Sequence, residues 1–342
     1  DQGLEYNLLT LRIEINRMEL TQDLVDNFYI YLSEIGWKIP KVVASDSLLV
    51  ASQKRGYHPA VEELEEINAD DSIKPINLNS VATDYLGTKK ELYDSMLKAT
   101  LIGVIARLLN RGCKFDTCLV LKGSQGIGKS TFWRALAGDD WFCDTWQEKD
   151  QDLYMAIQTC VIYELAELDS MTSKKDAGRV KGLLSSSVDT FKRPYARGIG
   201  RHPRASIMVA SCNRHDFLND PTGSRRFHVI DLPQDPEKGQ FINIAKVRRD
   251  RKRIFKAAYI AYQEGEKAFL DSVEQNESNR LNDLYEAEHP FFARLYDWIN
   301  KPTFEMDYGK DGSKSKGFTT ELALIDSGCR DAGAVRMPDL KD

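Results

Sequence analysis

The spacing of apolar residues along this chain changes from a helical period to short continuous runs near residue 110. Before that point, the pattern predicts a short strand at Leu8 to Ile15 and three helices, at Thr21 to Ile35, Pro59 to Ile67 and Lys89 to Leu109. Thr21 suits the N-cap of the first helix, and Pro59 suits the first turn of the second. Residues 1–95 are therefore predicted to form a mostly helical N-terminal domain.

Five short apolar runs follow, and each has the length and composition of a buried strand. These runs are Cys118–Leu121, Trp141–Cys143, Cys160–Tyr163, Ser206–Ser211 and Phe227–Leu232. Helical patterns separate the earlier of these apolar runs from one another. This alternation predicts an α/β core at residues 96–232 that is built on a mainly parallel sheet.

Beyond Pro233 the pattern is helical again, over Ile244 to Leu270 and Phe291 to Ile299. We expect residues 233–300 to form a helical lid region. Residues 301–342 contain the polar, Gly-rich stretch Gly309 to Gly317, and they are predicted to be a linker and a partial C-terminal segment.

Composition narrows the class of protein without identifying it. The 342 residues suit two or three domains of roughly 100–200 residues each. The net charge of -5 argues against a surface that binds nucleic acid throughout. The six cysteines include no Cys-x-x-Cys pair, which disfavours a zinc site and suits a reducing, cytoplasmic compartment. No apolar stretch approaches the ~20 residues of a membrane span. Because the chain begins at Asp1, we expect a fragment of a longer protein.

Residues 123–130 match the phosphate-binding pattern G-x-x-x-x-G-K-[ST] in full, between a predicted strand and a helical pattern at Thr131 to Ala137. Glycines let such a loop wrap a phosphate with inward-pointing N–H groups, and the helix that follows adds its positive end. Lys129 would neutralise the β- and γ-phosphates of ATP, and the Ser130 hydroxyl would ligate Mg²⁺. The predicted nucleotide-binding residues are Gly123, Ser124, Gln125, Gly126, Ile127, Gly128, Lys129, Ser130 and Thr131.

Two acidic residues follow the predicted strand Cys160–Tyr163, where a carboxylate could hold the metal of a bound nucleotide. We favour Glu164 as the Mg²⁺ ligand and Glu167 as the group that orients the attacking water, but sequence alone allows the roles to be exchanged. It also allows one of the two to be a solvated loop acid. Asn213 follows the next long strand and could bond the γ-phosphate or that water, although Asn is also a common turn residue.

Residues 222–227 read Thr-Gly-Ser-Arg-Arg-Phe and place two arginines after a glycine turn. Arg225 or Arg226 could act as an arginine finger on the ATP of a neighbouring subunit, which would require a ring. A surface ion pair explains the same two residues equally well. Which of the two would act in trans is open.

The order of these parts resembles the virulence-associated E family of phage, plasmid and genomic-island proteins, which is similar to superfamily 3 helicases and viral primase-helicases. The matching stretches are Gly112–Asp116, Leu121–Phe132, Lys149-Asp150, Glu164–Leu168, Arg193–Tyr195, Cys212-Asn213, Phe217-Leu218, Asp220–Phe227 and Tyr57-His58-Pro59. One departure is Ser211-Cys212-Asn213, where the family pattern has Thr-Thr-Asn or Thr-Ser-Asn. The departure keeps the asparagine.

This resemblance implies an AAA+-type core whose five-stranded sheet has the order 5-1-4-3-2, with a collar-like N-terminal domain before it. It implies an ATP- and Mg²⁺-dependent helicase that moves along single-stranded DNA as a ring, expected to be a hexamer, in the replication of a mobile element. A primase domain or partner is implied as well.

A basic segment between the acidic strand and the asparagine strand corresponds to the pore hairpin of superfamily 3 helicases. Its predicted DNA-binding residues are Lys192, Arg193, Arg197, Arg201 and Arg204. Gly198 and Gly200 allow a tight hairpin tip, and cations there would bind backbone phosphates without reading sequence. Some of these arginines could instead contact ATP or a neighbouring subunit. A second basic run, from Lys246 to Lys256, is more typical of a solvated helix face.

Two other functions stay open at this point. One is an AAA+ ATPase that acts on protein partners in defence or regulation, and the other is a nucleotide-binding interaction module with little turnover. The basic segment favours the DNA motor. The presence of Lys129, Glu164 and Arg225 disfavours the module.

Overall fold

The computed structural model describes residues 3–166, 168, 174–193, 198–214, 217–218, 221–233 and 242–285. The predicted helix at Phe291 to Ile299, the predicted linker at Gly309 to Gly317 and the whole segment 301–342 lie outside these residues.

The N-terminal region contains a four-stranded sheet that its apolar pattern did not predict. The strands are β1 (Leu4–Asn7), β2 (Arg12–Ile15), β3 (Met18–Glu19) and β4 (Gly56–Tyr57), in the order β3-β2-β1-β4. The single strand predicted at Leu8 to Ile15 is instead a turn followed by β2, which pairs antiparallel with β1. The last strand, β4, arrives from a distant part of the chain and pairs parallel with β1, so no local pattern reveals it.

Five helices accompany this sheet: α1 (Gln22–Glu34), α2 (Lys41–Gln53), α3 (Pro59–Ala69), α4 (Val81–Leu86) and α5 (Glu91–Leu109). The predictions of α1, α3 and α5 are confirmed. The predicted N-cap is also confirmed, because the Thr21 hydroxyl accepts a hydrogen bond from the Leu24 N–H at 3.3 Å and satisfies one of the free donors at the start of the helix.

Helix α5 is buried on nearly every side, and the boundary predicted between residues 95 and 96 falls inside it. Met96, Leu97 and Ile105 are fully inaccessible to solvent. Gly103 lets the ring of Phe115 pack directly on the helix, since a Cβ at this position would overlap that ring. The helix therefore belongs to one hydrophobic core with the strands that follow it.

The remaining strands are β5 (Cys118–Lys122), β6 (Phe142–Cys143), β7 (Ile162–Leu165), β8 (Val188–Phe191), β9 (Gly200–Pro203), β10 (Ile207–Cys212) and β11 (Phe227–Asp231). Five of them form one sheet in the order β11-β5-β10-β7-β6, in which every neighbouring pair is parallel. Counted along the chain within this sheet, the order is 5-1-4-3-2. Strands β8 and β9 form a separate antiparallel hairpin.

Helices α6 (Lys129–Ala137), α7 (Asp150–Gln158), α8 (Lys174–Ser185), α9 (Ile244–Gln263) and α10 (Ser272–Asn282) complete the described elements, with short 3₁₀ turns such as Pro221–Arg226. The prediction that a helix would run from Ile244 to Leu270 was too long. Helix α9 ends at Gln263, and Gly265 then takes a φ of +83°, a backbone conformation that glycine adopts without steric cost.

The second basic run lies on α9 and is largely occupied by contacts within the protein. Arg249 and Arg253 pair with Asp250 on the same helix, at 3.1 and 3.2 Å. Lys246 donates to the Asp84 carbonyl at 2.7 Å and Lys256 to the Asp70 carbonyl at 2.6 Å. The two lysines thereby connect α9 with the ends of the N-terminal helices. The sequence favoured a solvated helix face for this run, and the structure shows that part of the run is used in contacts within the protein.

Arg251 makes the most extensive of these α9 contacts. Its guanidinium forms a bidentate pair with Glu63 of α3, at 2.5 and 2.9 Å, and it also donates to the carbonyl oxygens of Leu136 and Ala137 at 2.9 Å. Those carbonyls belong to the last turn of α6, where no intrahelical donor is available. One side chain therefore links three helices.

No helix in the described part of the chain is long and apolar enough to cross a membrane.

We predict that Arg251→Ala lowers the free energy of unfolding by about 2–3 kcal/mol, because it leaves Glu63 and two helix-terminal carbonyls without their donor. Urea denaturation followed by circular dichroism measures this loss. The neighbouring Lys252 is exposed, so Lys252→Ala is the matched control and should change stability by less than about 0.5 kcal/mol. Equal effects of the two substitutions would contradict the assignment.

Candidate functional site

The loop that carries the phosphate-binding pattern leaves the carboxyl end of β5 and enters α6 at Lys129. Gly126 and Gly128 take φ values of +84° and +96°, which L-residues with side chains rarely adopt. At Gly123 a Cβ would lie only 2.7 Å from the side chain of Ile127. Gly126 and Gly128 therefore suit glycine because of their backbone conformation, and a Cβ at Gly123 would displace the side chain of Ile127.

The backbone N–H groups of residues 124–128 donate no hydrogen bond to another backbone group of the described residues. Ser124, Gln125, Gly126 and Thr131 are exposed to solvent. A row of free N–H groups beside the first turn of a helix is the arrangement that binds phosphate oxygens.

Lys129 points its ammonium group into this loop. Its Nζ donates to the carbonyl oxygens of Gly123 and Ser124, at 2.7 and 2.8 Å, and to the side-chain oxygen of Asn213 at 2.8 Å. These bonds use all three donors of the ammonium group although the residue is only 8% exposed. The contact to Asn213 ties the loop after β5 to the end of the neighbouring strand β10.

Glu164 lies beside the same loop and is the third of the four residues of β7. Its Oε1 accepts a hydrogen bond from the Ser130 hydroxyl at 2.9 Å, whereas its Oε2 is buried and makes no hydrogen bond within the described residues. Burial raises the pKa of this carboxyl group, and the hydroxyls of Ser211 and Ser130 act in the opposite direction. A buried carboxylate oxygen without a partner is costly unless a cation or a donor reaches it.

The chemistry of this donor pair fits Mg²⁺. The ion prefers oxygen ligands and is commonly held by one or two protein groups, together with phosphates and water. Ser130 and Glu164 supply two such oxygens next to the free N–H groups of the loop. No cluster of three His, Cys, Asp or Glu side chains with the geometry of a metal site occurs among the residues that the structure describes.

Sequence reasoning missed a second acidic residue at this edge. Asp144 directly follows β6, and its charge contributes to the raised pKa of Glu164. The carboxylate of Asp144 accepts a hydrogen bond from Arg134 on α6 at 2.9 Å. Its position just after a buried strand was the available signal, since Asn213 was identified in the same way.

The carboxyl ends of β5 and β11 are joined by a buried lysine that was not predicted either. Lys122 is 3% exposed, and its Nζ lies 3.1 Å from both carboxylate oxygens of Asp231. The same ammonium group lies 5.2 Å from the centre of the Tyr285 ring. Because Lys122 immediately precedes Gly123, this pair fixes the point from which the loop departs.

Helix α9 supports the loop from the other side. The Ile242 N–H donates to the Ile127 carbonyl at 3.1 Å, and a Cβ at Gly128 would meet the side chain of Ile244 at 3.5 Å. Ile242, which lies just before α9, and Ile244, the first residue of α9, therefore hold the loop in its curved shape. This contact spans more than a hundred residues of sequence and gives no local signal.

The paired arginines lie at the opposite edge of the sheet. Arg225 and Arg226 end the 3₁₀ turn that precedes β11, and the first residue of β11, Phe227, pairs with Cys118 at the start of β5. Arg225 is exposed, and the Nε of Arg226 makes no hydrogen bond within the described residues. Neither residue forms an ion pair with another residue that the structure describes.

The predicted DNA-binding residues are distributed over the β8–β9 hairpin and its base. Lys192 and Arg201 are exposed and Arg193 is half-buried, whereas Arg197 lies outside the described residues, as does the candidate catalytic residue Glu167. The prediction for Arg204 does not fit this structure. Its side chain is buried, bonded to Asp189 and to the Leu183 carbonyl, and its guanidinium is therefore not available to DNA.

Arg204 has a structural function instead. Asp189 on β8 also accepts a hydrogen bond from Gln158 at 2.9 Å, and Gln158 donates in addition to the His202 carbonyl at 3.0 Å. This buried group of hydrogen bonds fastens the hairpin to α7 and α8. Along β9 the side chains alternate between solvent and interior, which separates the exposed Arg201 from the buried His202.

Comparisons with known proteins identify a family. The family model of the virulence-associated protein E-like domain matches residues 64–287. The interferon-induced GTP-binding protein MxA of Danio rerio is 24% identical over 128 residues, which is 34% of this chain and 20% of that protein. The chain therefore spans about a fifth of the length of this curated relative.

Two solved structures are similar at low identity. An apo structure of the NrS-1 C-terminal region (305-718) has 13% identity and a TM-score of 0.48, with 86% of this chain and 74% of that chain covered. The A form apo structure of the NrS-1 C-terminal region has 12% identity and a TM-score of 0.42, with coverage of 66% and 56%.

We predict that Glu164→Gln stabilises the nucleotide-free protein at neutral pH. A carboxyl group whose pKa is raised by folding binds more protons in the native state than in the unfolded chain. It therefore destabilises the fold at a pH above its folded-state pKa. This destabilisation disappears as the pH falls below the pKa of the unfolded chain. The melting temperature should rise by about 2–4 °C at pH 8, for a gain near 1 kcal/mol, and stay unchanged near pH 4.

Thermal melting of both proteins over this pH range checks the prediction. Glu65, which is exposed on α3, provides the matched control, and Glu65→Gln should leave the melting temperature unchanged at either pH. A Glu164→Gln protein that is less stable than the wild type at pH 8 would show that the carboxylate is not strained in this site.

Proposed function

We propose that this chain, which belongs to the virulence-associated protein E-like domain family, is an ATP-driven motor that moves along single-stranded DNA. The observation that carries the proposal is the convergence of a glycine-rich loop, Lys129, the Ser130–Glu164 pair and Asn213 at the carboxyl edge of one parallel sheet. Its setting would be the replication of a phage, plasmid or genomic island, as part of a primase-helicase or beside a primase.

The loop and Lys129 would hold the phosphates of ATP. The free N–H groups of residues 124–128 would donate to phosphate oxygens. Lys129 now bonds two loop carbonyls, and on nucleotide binding its Nζ would turn from them to the β- and γ-phosphates. The ammonium group would keep three acceptors throughout, so the exchange leaves no donor unsatisfied.

Ser130 and Glu164 would hold Mg²⁺, and a bound Mg²⁺ would neutralise charge that develops on the phosphates. The Ser130 hydroxyl would exchange its bond to Glu164 for the metal, and the unpartnered Oε2 of Glu164 would face the metal or one of its waters. The raised pKa of Glu164 would fall when the ion binds, because a nearby cation favours the carboxylate.

Asn213 would supply the polar group near the γ-phosphate. Its side-chain oxygen accepts from Lys129, which leaves the amide NH₂ as a donor for a phosphate oxygen or the attacking water. Glu167 keeps its proposed role in orienting that water, and the exchange of roles between Glu164 and Glu167 stays open.

Arg225 and Arg226 could complete only the ATP site of another subunit. Phe227 lies beside Cys118, five residues before Gly123, so the arginines are about 16 Å from their own loop at ~3.3 Å per strand residue. An extended arginine side chain is much shorter than this. An arginine finger in trans therefore fits the geometry, and it requires the subunits to form a ring, which we propose to be a hexamer.

Single-stranded DNA would pass along the β8–β9 hairpin. Lys192 and Arg201 are exposed there, and the buried Asp189–Arg204 pair holds the base of the hairpin against the core. Cations on a firmly attached hairpin bind backbone phosphates independently of sequence and transmit movements of the core to the strand.

The relative from Danio rerio is named as a GTP-binding protein, and the chemistry of this loop would accept ATP or GTP. No described contact selects the base. We favour ATP, and GTP provides the comparison in the assay below.

We predict that single-stranded DNA raises the rate of ATP hydrolysis several-fold, because phosphates on the hairpin would favour the arrangement of subunits that completes the nucleotide site. Steady-state phosphate release with and without an unstructured oligonucleotide measures this effect, and Lys129→Ala gives the background. An ATPase that responds to no nucleic acid would contradict the motor and favour a protein-directed ATPase. Tight ATP binding without hydrolysis would favour an interaction module.

A further inference from the structure

The Tyr57-His58-Pro59 stretch lies outside the nucleotide site, yet it places an unusual side chain in the interior. His58 is 7% exposed and neither Nδ1 nor Nε2 makes a hydrogen bond within the described residues. It occupies the N-cap position of α3 but makes no capping bond. A buried imidazole with two unsatisfied nitrogens costs free energy unless a ligand satisfies them.

Arg111 lies near this histidine, and Arg193 lies near Arg111. Burial, together with the charge of Arg111, lowers the pKa of His58 to about 4, so its ring is neutral at physiological pH. Burial and the charge of Arg193 lower the pKa of Arg111 in turn. Arg193 is half-buried, with an Nε that makes no hydrogen bond within the described residues. The one described acceptor of Arg111 is the Leu8 carbonyl, at 3.3 Å.

No carboxylate compensates these cations within the described residues. The acidic side chains of the N-terminal sheet and α3 that lie closest in the chain are already engaged. Glu62 binds the guanidinium of Arg17 at 2.9 Å, and Glu14 accepts hydrogen bonds from Tyr57 and Asn7. The cluster of His58, Arg111 and Arg193 is therefore an uncompensated group of donors at the edge of the interior.

The fold holds the members of this cluster together from three directions. His58 arrives at the end of β4, which pairs with β1. Arg111 follows α5, where the Gly112 N–H donates to the Arg204 carbonyl at 2.8 Å and fastens the turn to the base of the hairpin. Arg193 follows β8 and begins the hairpin connection. The cluster thus joins the N-terminal sheet, the central helix and the hairpin.

We propose that His58, Arg111 and Arg193 form one anion site, which binds a single backbone phosphate of single-stranded DNA where the strand passes the start of the β8–β9 connection. The guanidinium groups would bind the phosphate oxygens as charged donors, and the neutral imidazole would add one N–H. The inference rests on the proposed function. It assigns the Tyr57-His58-Pro59 stretch to the DNA path, whereas the exposed hairpin cations Lys192 and Arg201 would bind other phosphates.

The test measures binding of a fluorescent oligo-dT by anisotropy at several salt concentrations. Wild type, Arg111→Ala, Arg193→Ala and the double variant are compared, with the exposed Lys38→Ala as control. Each single variant should bind roughly 3–10-fold more weakly, and the slope of log K against log salt should fall by about 0.7, the value for one phosphate on a single strand. The double variant should lose the same slope as either single variant, because both arginines hold the same phosphate.

Two arginine variants that keep the wild-type affinity and slope would overturn the inference, and so would a double variant that loses twice the slope of a single one. Thermal melting reports folding, and if Arg111→Ala does not fold, Arg193→Ala and Arg111→Lys carry the test. Arg111→Lys should keep most of the salt slope because it keeps the charge. If the wild-type protein binds no single-stranded DNA, the proposed function itself is contradicted. If the wild type binds and the arginine variants bind equally well, only the inference about this anion site is contradicted.

Discussion

The parallel register of the five-stranded sheet is the constraint on which the rest of the structure depends. Because β11, β5, β10, β7 and β6 all run in one direction, their carboxyl ends meet at one edge and their amino ends at the other. Leu121 lies beside Ser211, and Val209 lies beside Glu164, so residues distant in sequence arrive together at the carboxyl edge. A one-residue slip would turn Glu164 to the opposite face of the sheet.

The apolar interior of the sheet stabilises the fold, whereas the carboxyl edge buries charged side chains and contributes less stability. The strands β5 and β10 are buried at every position, as parallel strands covered on both faces must be. At the carboxyl edge, by contrast, the chain buries Lys122, Lys129 and Glu164. Lys122 has the carboxylate of Asp231, and Lys129 has three oxygens, but Glu164 has a raised pKa and an oxygen that no described residue satisfies. A buried polar atom of this kind is typical of functional sites, and it supports our proposal that Glu164 helps to hold Mg²⁺.

The parts of the site that depend on local chemistry were accessible from the sequence. The glycine loop follows from steric requirements within eight residues, and Glu164 and Asn213 follow from their positions at the ends of apolar runs. The same rule would have found Asp144, which follows β6, a strand of only two residues. The main sheet was predictable because each of its strands is a continuous apolar run.

Features that depend on distant pairing were not predictable in this way. Strand β4 has two residues and joins its sheet across some fifty positions, so the N-terminal sheet gave no periodic signal. Arg204 was grouped with the DNA-binding cations because a run of charge does not show which side chains turn inward. Strand alternation puts it on the interior side with His202, and the partner that keeps it there, Asp189, lies on the facing strand β8. The environment of His58 likewise appears only when three separate segments meet.

The central claim of our proposal is that the nucleotide held by one subunit is completed by the arginines of the next, since the loop and the arginines lie at opposite edges of the sheet. Mixing subunits tests it most directly. Lys129→Ala subunits lack the phosphate site, and Arg225→Ala/Arg226→Ala subunits lack the finger, so each variant alone should be nearly inactive. When they are mixed in equal amounts, about a quarter of the interfaces of a random ring combine an intact loop with intact arginines, and ATP turnover should reappear in that proportion. Turnover that equals the sum of the separate variants at every ratio would contradict the shared site.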